Sequence, residues 1–196
     1  KPEIKALSKL VAKKFPNHLM LQESVGNRKL APISEGSKKA GDRLFELREN
    51  RPQIDLLDLS LGNKLELAFF DIEGNKISTS SLGIDYTLVD FWCKPCRQET
   101  PTIKYALQKY PNNFAVYAVS LDDKRAAWQR AINEDSTQMF KHLIGTYPNG
   151  QRSRLLRQLN IEIIPTNFLI DNNQRIIAKD LHGERLIQVL DSLIQK

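Results

Sequence analysis

The hydrophobic rhythm of the chain changes once, near residue 60. Before it, apolar residues recur at helical spacing: Ile4, Leu7, Leu10 and Val11 line one face. That helix should stop before Pro16, because the residue preceding a proline avoids the helical region. A second apolar group runs from Leu19 to Val25, and SEGSKKAGDRLFELREN resumes the helical pattern after Ser34. Beyond residue 61 the pattern becomes strand-like and alternating. KLELAFFDIEGNKIST predicts two short strands around a turn at Glu73-Gly74-Asn75. YTLVDFW is a continuous apolar run of strand length, interrupted only by Asp90. A helix should follow, through about Tyr110, with Pro101 kinking it. NNFAVYAVSLD predicts a strand, KRAAWQRAINED a helix, KHLIG a short strand and SRLLRQLNI a helix. PTNFLID and QRIIAKD predict a closing antiparallel hairpin, and ERLIQVLDSLIQK an amphipathic helix. There is no internal repeat and no low-complexity tract.

Strands alternating with helices imply an α/β layer structure, with parallel pairs joined by right-handed crossovers. Residues 1–60 are expected as a helical accessory segment and 61–196 as the α/β domain. Composition adds a soluble globular class: 41% hydrophobic and 27% charged residues in 196, with no apolar run near the ~20 residues that span a bilayer. The N-terminal stretch has no apolar core of signal-peptide type. The net charge of +6 is uneven. Residues 1–51 hold 12 Lys/Arg against 6 Asp/Glu, and the remainder holds 17 of each. Because those basic residues alternate with apolar ones at helical spacing, they read as solvated helix faces rather than a nucleic-acid surface.

The only two cysteines, Cys93 and Cys96, lie in LVDFWCKPCRQETP, where the strand hands over to a helix. A structural zinc site needs four ligands; His18, His142 and His182 stand far from the pair and from one another, so no metal is expected. A bridge closing so short a loop removes little chain entropy, which argues against a structural staple. A reactive pair has a physical basis. A thiolate at a helix N-terminus meets unpaired N–H groups and the positive end of the helix dipole. Cys93 should then be the exposed attacking thiol, and Cys96, one turn on, the resolving one. Pro95 is tolerated in a first turn, and Lys94 and Arg97 add positive charge.

WCKPC resembles the WCxxC centre of the thioredoxin superfamily. The longer CKPCRQETP is similar to the C-x-x-C-R-x-E-x-P signature of the TlpA/ResA-like thiol-disulfide oxidoreductases, usually exported bacterial proteins. VDFW before it, VSLDDKRAAW after it and IPTNFLID near the end extend the resemblance over roughly 61–196. It implies a thioredoxin-like fold, a central mixed sheet flanked by helices with an extra N-terminal hairpin and an inserted αβ unit. It also implies roles. Asp90 matches the acid of the VDF strand and would accept the Cys96 proton through water. Glu99 would tune the thiols. Pro165 matches a cis-proline beside the disulfide, and the Ile164 backbone would pair with an extended substrate. Trp92, Lys94 and Pro95 would also border that substrate. The implied partners are protein thiols or disulfides and an upstream redox donor. No cofactor, nucleic acid or metal is implied, membrane association would come only through an anchor outside this stretch, and oligomeric state is left open. The implied location is the periplasm or an outward-facing anchored form, ahead of the cytoplasm.

One departure matters. The family usually reads FW-A-x-WC-x-x-C, whereas here Trp92 meets Cys93 directly. Two alternatives therefore stand beside a dithiol–disulfide oxidoreductase. One is a redox-inactive thioredoxin-like scaffold. The other is a thiol peroxidase, disfavoured because Asp90 occupies the position where its Thr-x-x-Cys motif needs threonine. Trp128 is expected in the core, His182 as a loop or capping residue, and His18 and His142 are given no partner.

Overall fold

The computed structural model describes residues 54–195, except for the side chains of Lys94, Pro95 and Cys96. The accessory segment expected over 1–60 lies outside the described residues as far as 53. Residues 54–60 carry no helix; they run along the domain, with the Leu57 N–H donating to the Gln158 carbonyl at 2.9 Å.

Seven strands form one mixed sheet: β1 (Ala68–Phe70), β2 (Lys76–Ser78), β3 (Tyr86–Trp92), β4 (Phe114–Ser120), β5 (Lys141–Ile144), β6 (Thr166–Asp171) and β7 (Ile176–Lys179). Their order is β2-β1-β5-β4-β3-β6-β7. β3, β4 and β5 are mutually parallel, and every other pairing is antiparallel. YTLVDFW lands in the interior of the sheet because both of its faces are apolar, which only a doubly covered strand can satisfy.

The two predicted hairpins form, each around an aspartate. Asp71 accepts the Asn75 backbone N–H at 2.8 Å, while Gly74 takes a positive φ of 86° that favours glycine. Asp171 accepts the N–H groups of Asn173 and Arg175 at 2.9 and 2.8 Å. The helices are α1 (Thr100–Lys109), α2 (Arg125–Asp135), α3 (Arg154–Gln158) and α4 (Glu184–Ile194). α3 is shorter than SRLLRQLNI suggests: Ser153 caps its start, and Asn160 at φ 48° turns the chain out of helical geometry.

Two cores sandwich the sheet, as the alternation of a strand requires. On one face Leu88, Trp92, Val116, Ala118 and Leu169 meet Ile103 and Ala106 of α1, Trp128 and Ala131 of α2, and Leu186 and Leu190 of α4. Trp128 is fully buried there, as expected. On the other face Val89, Phe91, Tyr117, Val119 and Phe168 pack with Leu65, Leu67, Phe69 and Leu156. Asp90 falls between Leu88 and Trp92 in the alternation, so it projects toward the α1/α4 face. No helix among the described residues is long and apolar enough to cross a membrane.

Candidate functional site

β3 delivers Cys93 directly. Trp92 is its last residue, and its carbonyl accepts the Leu121 N–H at 2.9 Å. Cys93 continues as extended backbone and is half-buried. Lys94–Glu99 then forms a 3-10 turn, and α1 begins only at Thr100. This corrects the expectation of a cysteine at an α-helix N-terminus: the aligned α-helical peptide dipoles start seven residues after Cys93. Pro101 explains the late start. It occupies the first turn of α1, where a missing N–H costs nothing, and so opens that helix instead of kinking it. Arg97 also departs from expectation, because Glu134 and Asp135 of α2 hold its guanidinium at 3.1 and 3.0 Å. Its charge is largely answered there rather than available to a thiolate. The predicted positions of Lys94, Pro95 and Cys96 lie outside the described side chains.

Trp92 needs a further correction. As a substrate contact it should be exposed, yet it is only 7% exposed. With no linker before Cys93, strand alternation turns its ring into the core. There it meets the His142 ring edge-on at 6.0 Å, and Phe140 stacks with that imidazole at 5.8 Å. His142 thus has partners that its sequence context did not reveal. Its Nε2 lies 2.8 Å from the Thr137 carbonyl, which can only accept, so Nε2 carries the proton. Burial pushes this imidazole down to about 4, against the smaller opposite pull of the Thr137 bond. His18 lies outside the described residues.

Burial, and to a smaller extent the negative charge of Glu99, raise the Asp90 carboxyl to about 7. Glu99 immediately precedes α1, and its two oxygens face the loop before α4. Oε2 accepts the Gly183 N–H at 2.8 Å, and Oε1 stands 3.8 Å from His182 Nδ1.

Sequence reading missed Asn167. It is directly opposite Asp90 in the β3–β6 register and is 2% exposed. Its side chain clamps the main chain of Leu181 twice, accepting the N–H at 2.8 Å and donating to the carbonyl at 3.0 Å. The available signal was a lone amide in an otherwise apolar strand, NFLI. A buried amide of this kind must find both a donor and an acceptor.

The Ile164–Pro165 peptide bond is cis, and the register Phe91↔Thr166 brings it to the same end of β3 as Cys93. Pro165 is exposed and Ile164 half-buried, leaning on the second core. The loop therefore offers backbone at the surface beside the cysteine.

Comparison with known proteins agrees with this architecture. A family described as thioredoxin-like matches residues 83–176. Among curated proteins, the chain is 26% identical over 136 residues to the thiol-disulfide oxidoreductase ResA of Bacillus cereus, covering 64% of this chain and 71% of that protein. It is 27% identical over 139 residues to the thioredoxin-like protein YneN of Bacillus subtilis, covering 68% and 69%. Among solved structures, the thioredoxin domain of a thiol-disulfide oxidoreductase from Bacteroides vulgatus superposes with a TM-score of 0.61 at 26% identity, over 70% of this chain and 99% of that one. A thiol-disulfide oxidoreductase from Bacteroides fragilis gives 0.58 at 28% identity, over 67% and 98%.

Proposed function

With a thioredoxin-like domain of the TlpA/ResA-like kind as premise, we propose that this protein exchanges disulfides with protein substrates through Cys93 and Cys96. The observation that carries the reading is Asp90. It is a carboxyl titrating near neutrality, on the strand that leads into Cys93, with no hydrogen bond or ion pair to any described residue. An acid so placed has no stabilising role to explain it, while a proton acceptor needs a pKa near the working pH.

The Cys93 thiolate attacks one sulfur of a substrate disulfide and forms a mixed disulfide, releasing the other substrate sulfur as a thiolate. Cys96 gives its proton to Asp90, directly or through water, and attacks Cys93 Sγ. The products are the Cys93–Cys96 disulfide and a fully reduced substrate, so two electrons have passed from protein to substrate. An upstream dithiol returns them. Ile164 holds the substrate strand by main-chain hydrogen bonds, with Pro165 beside it. Lys94 and Pro95 border the same chain. The resemblance of CKPCRQETP to the usually exported TlpA/ResA-like branch supports action outside the cytoplasm, in a periplasmic or outward-facing anchored form.

Reduction of insulin disulfides in the presence of dithiothreitol tests the reading: Cys93→Ser should fall to the uncatalysed rate. Turnover equal to wild type would exclude Cys93 as nucleophile. A second reading, a redox-inactive binding module, draws on the direct Trp92–Cys93 junction and on the neutralised Arg97. A Cys93 thiol pKa near the free value of ~8.5, with no exchange activity, would favour it.

A further inference from the structure

We propose that one internal water molecule is a built-in part of this fold, held between the Trp92 indole and the His142 imidazole at the strand end that leads into Cys93. Three observations meet there. The first is a pair of unpartnered groups. Trp92 Nε1 and His142 Nδ1 are both shut off from solvent, and neither has a hydrogen-bond partner among the described residues. Trp92 itself is only 7% exposed. A buried polar atom in that condition costs the full desolvation of the group, which native proteins avoid by pairing it with protein or with ordered water. The second is complementarity. An indole N–H only donates. His142 carries its proton on Nε2, 2.8 Å from the Thr137 carbonyl. Its Nδ1 therefore only accepts while the ring is neutral, as burial keeps it at pH 7. The third is space. Trp92 and His142 line one cavity of about 20 Å³, which Thr100, Asp135, Thr137 and Phe140 also border.

The size of the cavity names the ligand. One water needs on the order of 10–15 Å³ of such space and two to four polar partners, so the cavity admits a water and nothing larger. The water oxygen accepts the Trp92 N–H, and one of its O–H groups donates to His142 Nδ1. The second O–H has oxygens of Thr100, Asp135 and Thr137 on the same wall. The two rings meet edge-on, with centroids 6.0 Å apart, and make no direct hydrogen bond to each other. A shared water supplies the link. The fold opens the room for it. β4 lies between β3 and β5, and it sets Ser120 beside Trp92 and Ala118 beside His142. Small side chains at both positions let the indole reach across β4. The water thus ties the end of β3 to β5, one residue before Cys93.

Neither the site nor its test depends on the exchange reading. In 15N-labelled protein at pH 7, water-selective NMR should show a direct cross peak between water and the Trp92 indole Hε1. Its NOE and ROE should have opposite signs, the mark of a water held far longer than one at the surface. Through-bond assignment separates this indole from that of Trp128, the only other tryptophan. The peak should survive in Thr100→Ala and in Thr137→Val, which remove hydroxyls whose exchanging protons imitate such a signal. Long-range 15N spectra of the imidazoles should show His142 with Nδ1 bare and Nε2 protonated. His142→Phe keeps a ring and removes the acceptor. There the water peak should disappear, and exchange of the Trp92 indole N–H should quicken by about two- to tenfold, as for one lost hydrogen bond. A wild-type indole without the cross peak would overturn the proposal, and so would a proton on Nδ1. A peak that vanishes with either hydroxyl, or persists unchanged in His142→Phe, would overturn it equally. Both wild-type measurements decide the matter even if His142→Phe fails to fold.

Discussion

At position 167 only an amide can do what the fold requires. The site is buried, and the Leu181 main chain offers one donor and one acceptor within reach. Aspartate would lack the donor and add a second negative charge to the row that holds Asp90. Leucine would leave both backbone groups unpaired. Asn167→Ala should therefore lower stability by roughly 2–3 kcal/mol, read by urea denaturation. Amide exchange at Leu181 and Gly183 should rise more than exchange in the helices. Equal protection in both proteins would mean that the loop is held by something other than Asn167. The same row shows what a single sequence reveals at the residue scale. Asp90 was legible because an acid inside an apolar run is conspicuous. Asn167 and His142 were not, because their decisive partners, Leu181 and Trp92, lie 14 and 50 positions away, and spacing carries no information about those.

Among elements, the strands and the longer helices were legible from periodicity, since each buries a face that its own sequence announces. The 3-10 turn over Lys94–Glu99 was not. Its residues are polar and proline-bracketed, and a helix is what their flanks suggest. Pairing between distant strands was equally hidden. The β1–β2 hairpin contacts the rest of the sheet through a single registered pair, Phe70↔Ile144, yet it is tied down by a side chain from β4. The Tyr117 hydroxyl accepts the Phe69 N–H at 2.9 Å and donates to the Ile77 carbonyl at 2.7 Å. Tyr117→Phe keeps the ring packing but strands one donor and one acceptor. It should cost ~1–3 kcal/mol and raise amide exchange selectively in 67–78. A loss spread evenly over the sheet would show that the hairpin is not a separately opening unit.

For the whole molecule, two half-buried titratable groups on the same face pull stability in opposite directions with pH. Asp90 titrates near 3.9 when unfolded and near 7 when folded. Between these values the native chain holds a proton that the unfolded chain has lost, so its contribution falls as pH rises. His142 titrates near 6.5 when unfolded and near 4 when folded. Between these values the unfolded chain binds the extra proton, so its contribution falls as pH drops. The windows overlap from about pH 4 to 6.5, and the two slopes offset each other. Asp191 and Glu66, held below the ordinary carboxylate range by hydrogen bonds from Lys109 and Lys64, act beneath that window. Wild-type stability should therefore be nearly flat from pH 4.5 to 6.5. Asp90→Asn should remove one slope and lose roughly 2–4 kcal/mol as pH falls from 6.5 to 4. His142→Gln, which keeps a donor for Thr137, should instead lose a similar amount as pH rises from 4 to 7. Denaturant midpoints measured across this range decide the matter, because the two single variants must tilt in opposite senses. A common tilt would mean that one of the two groups shares its titration between folded and unfolded chains. If Asp90 is that group, the argument for it as the proton acceptor of the exchange centre loses its footing as well.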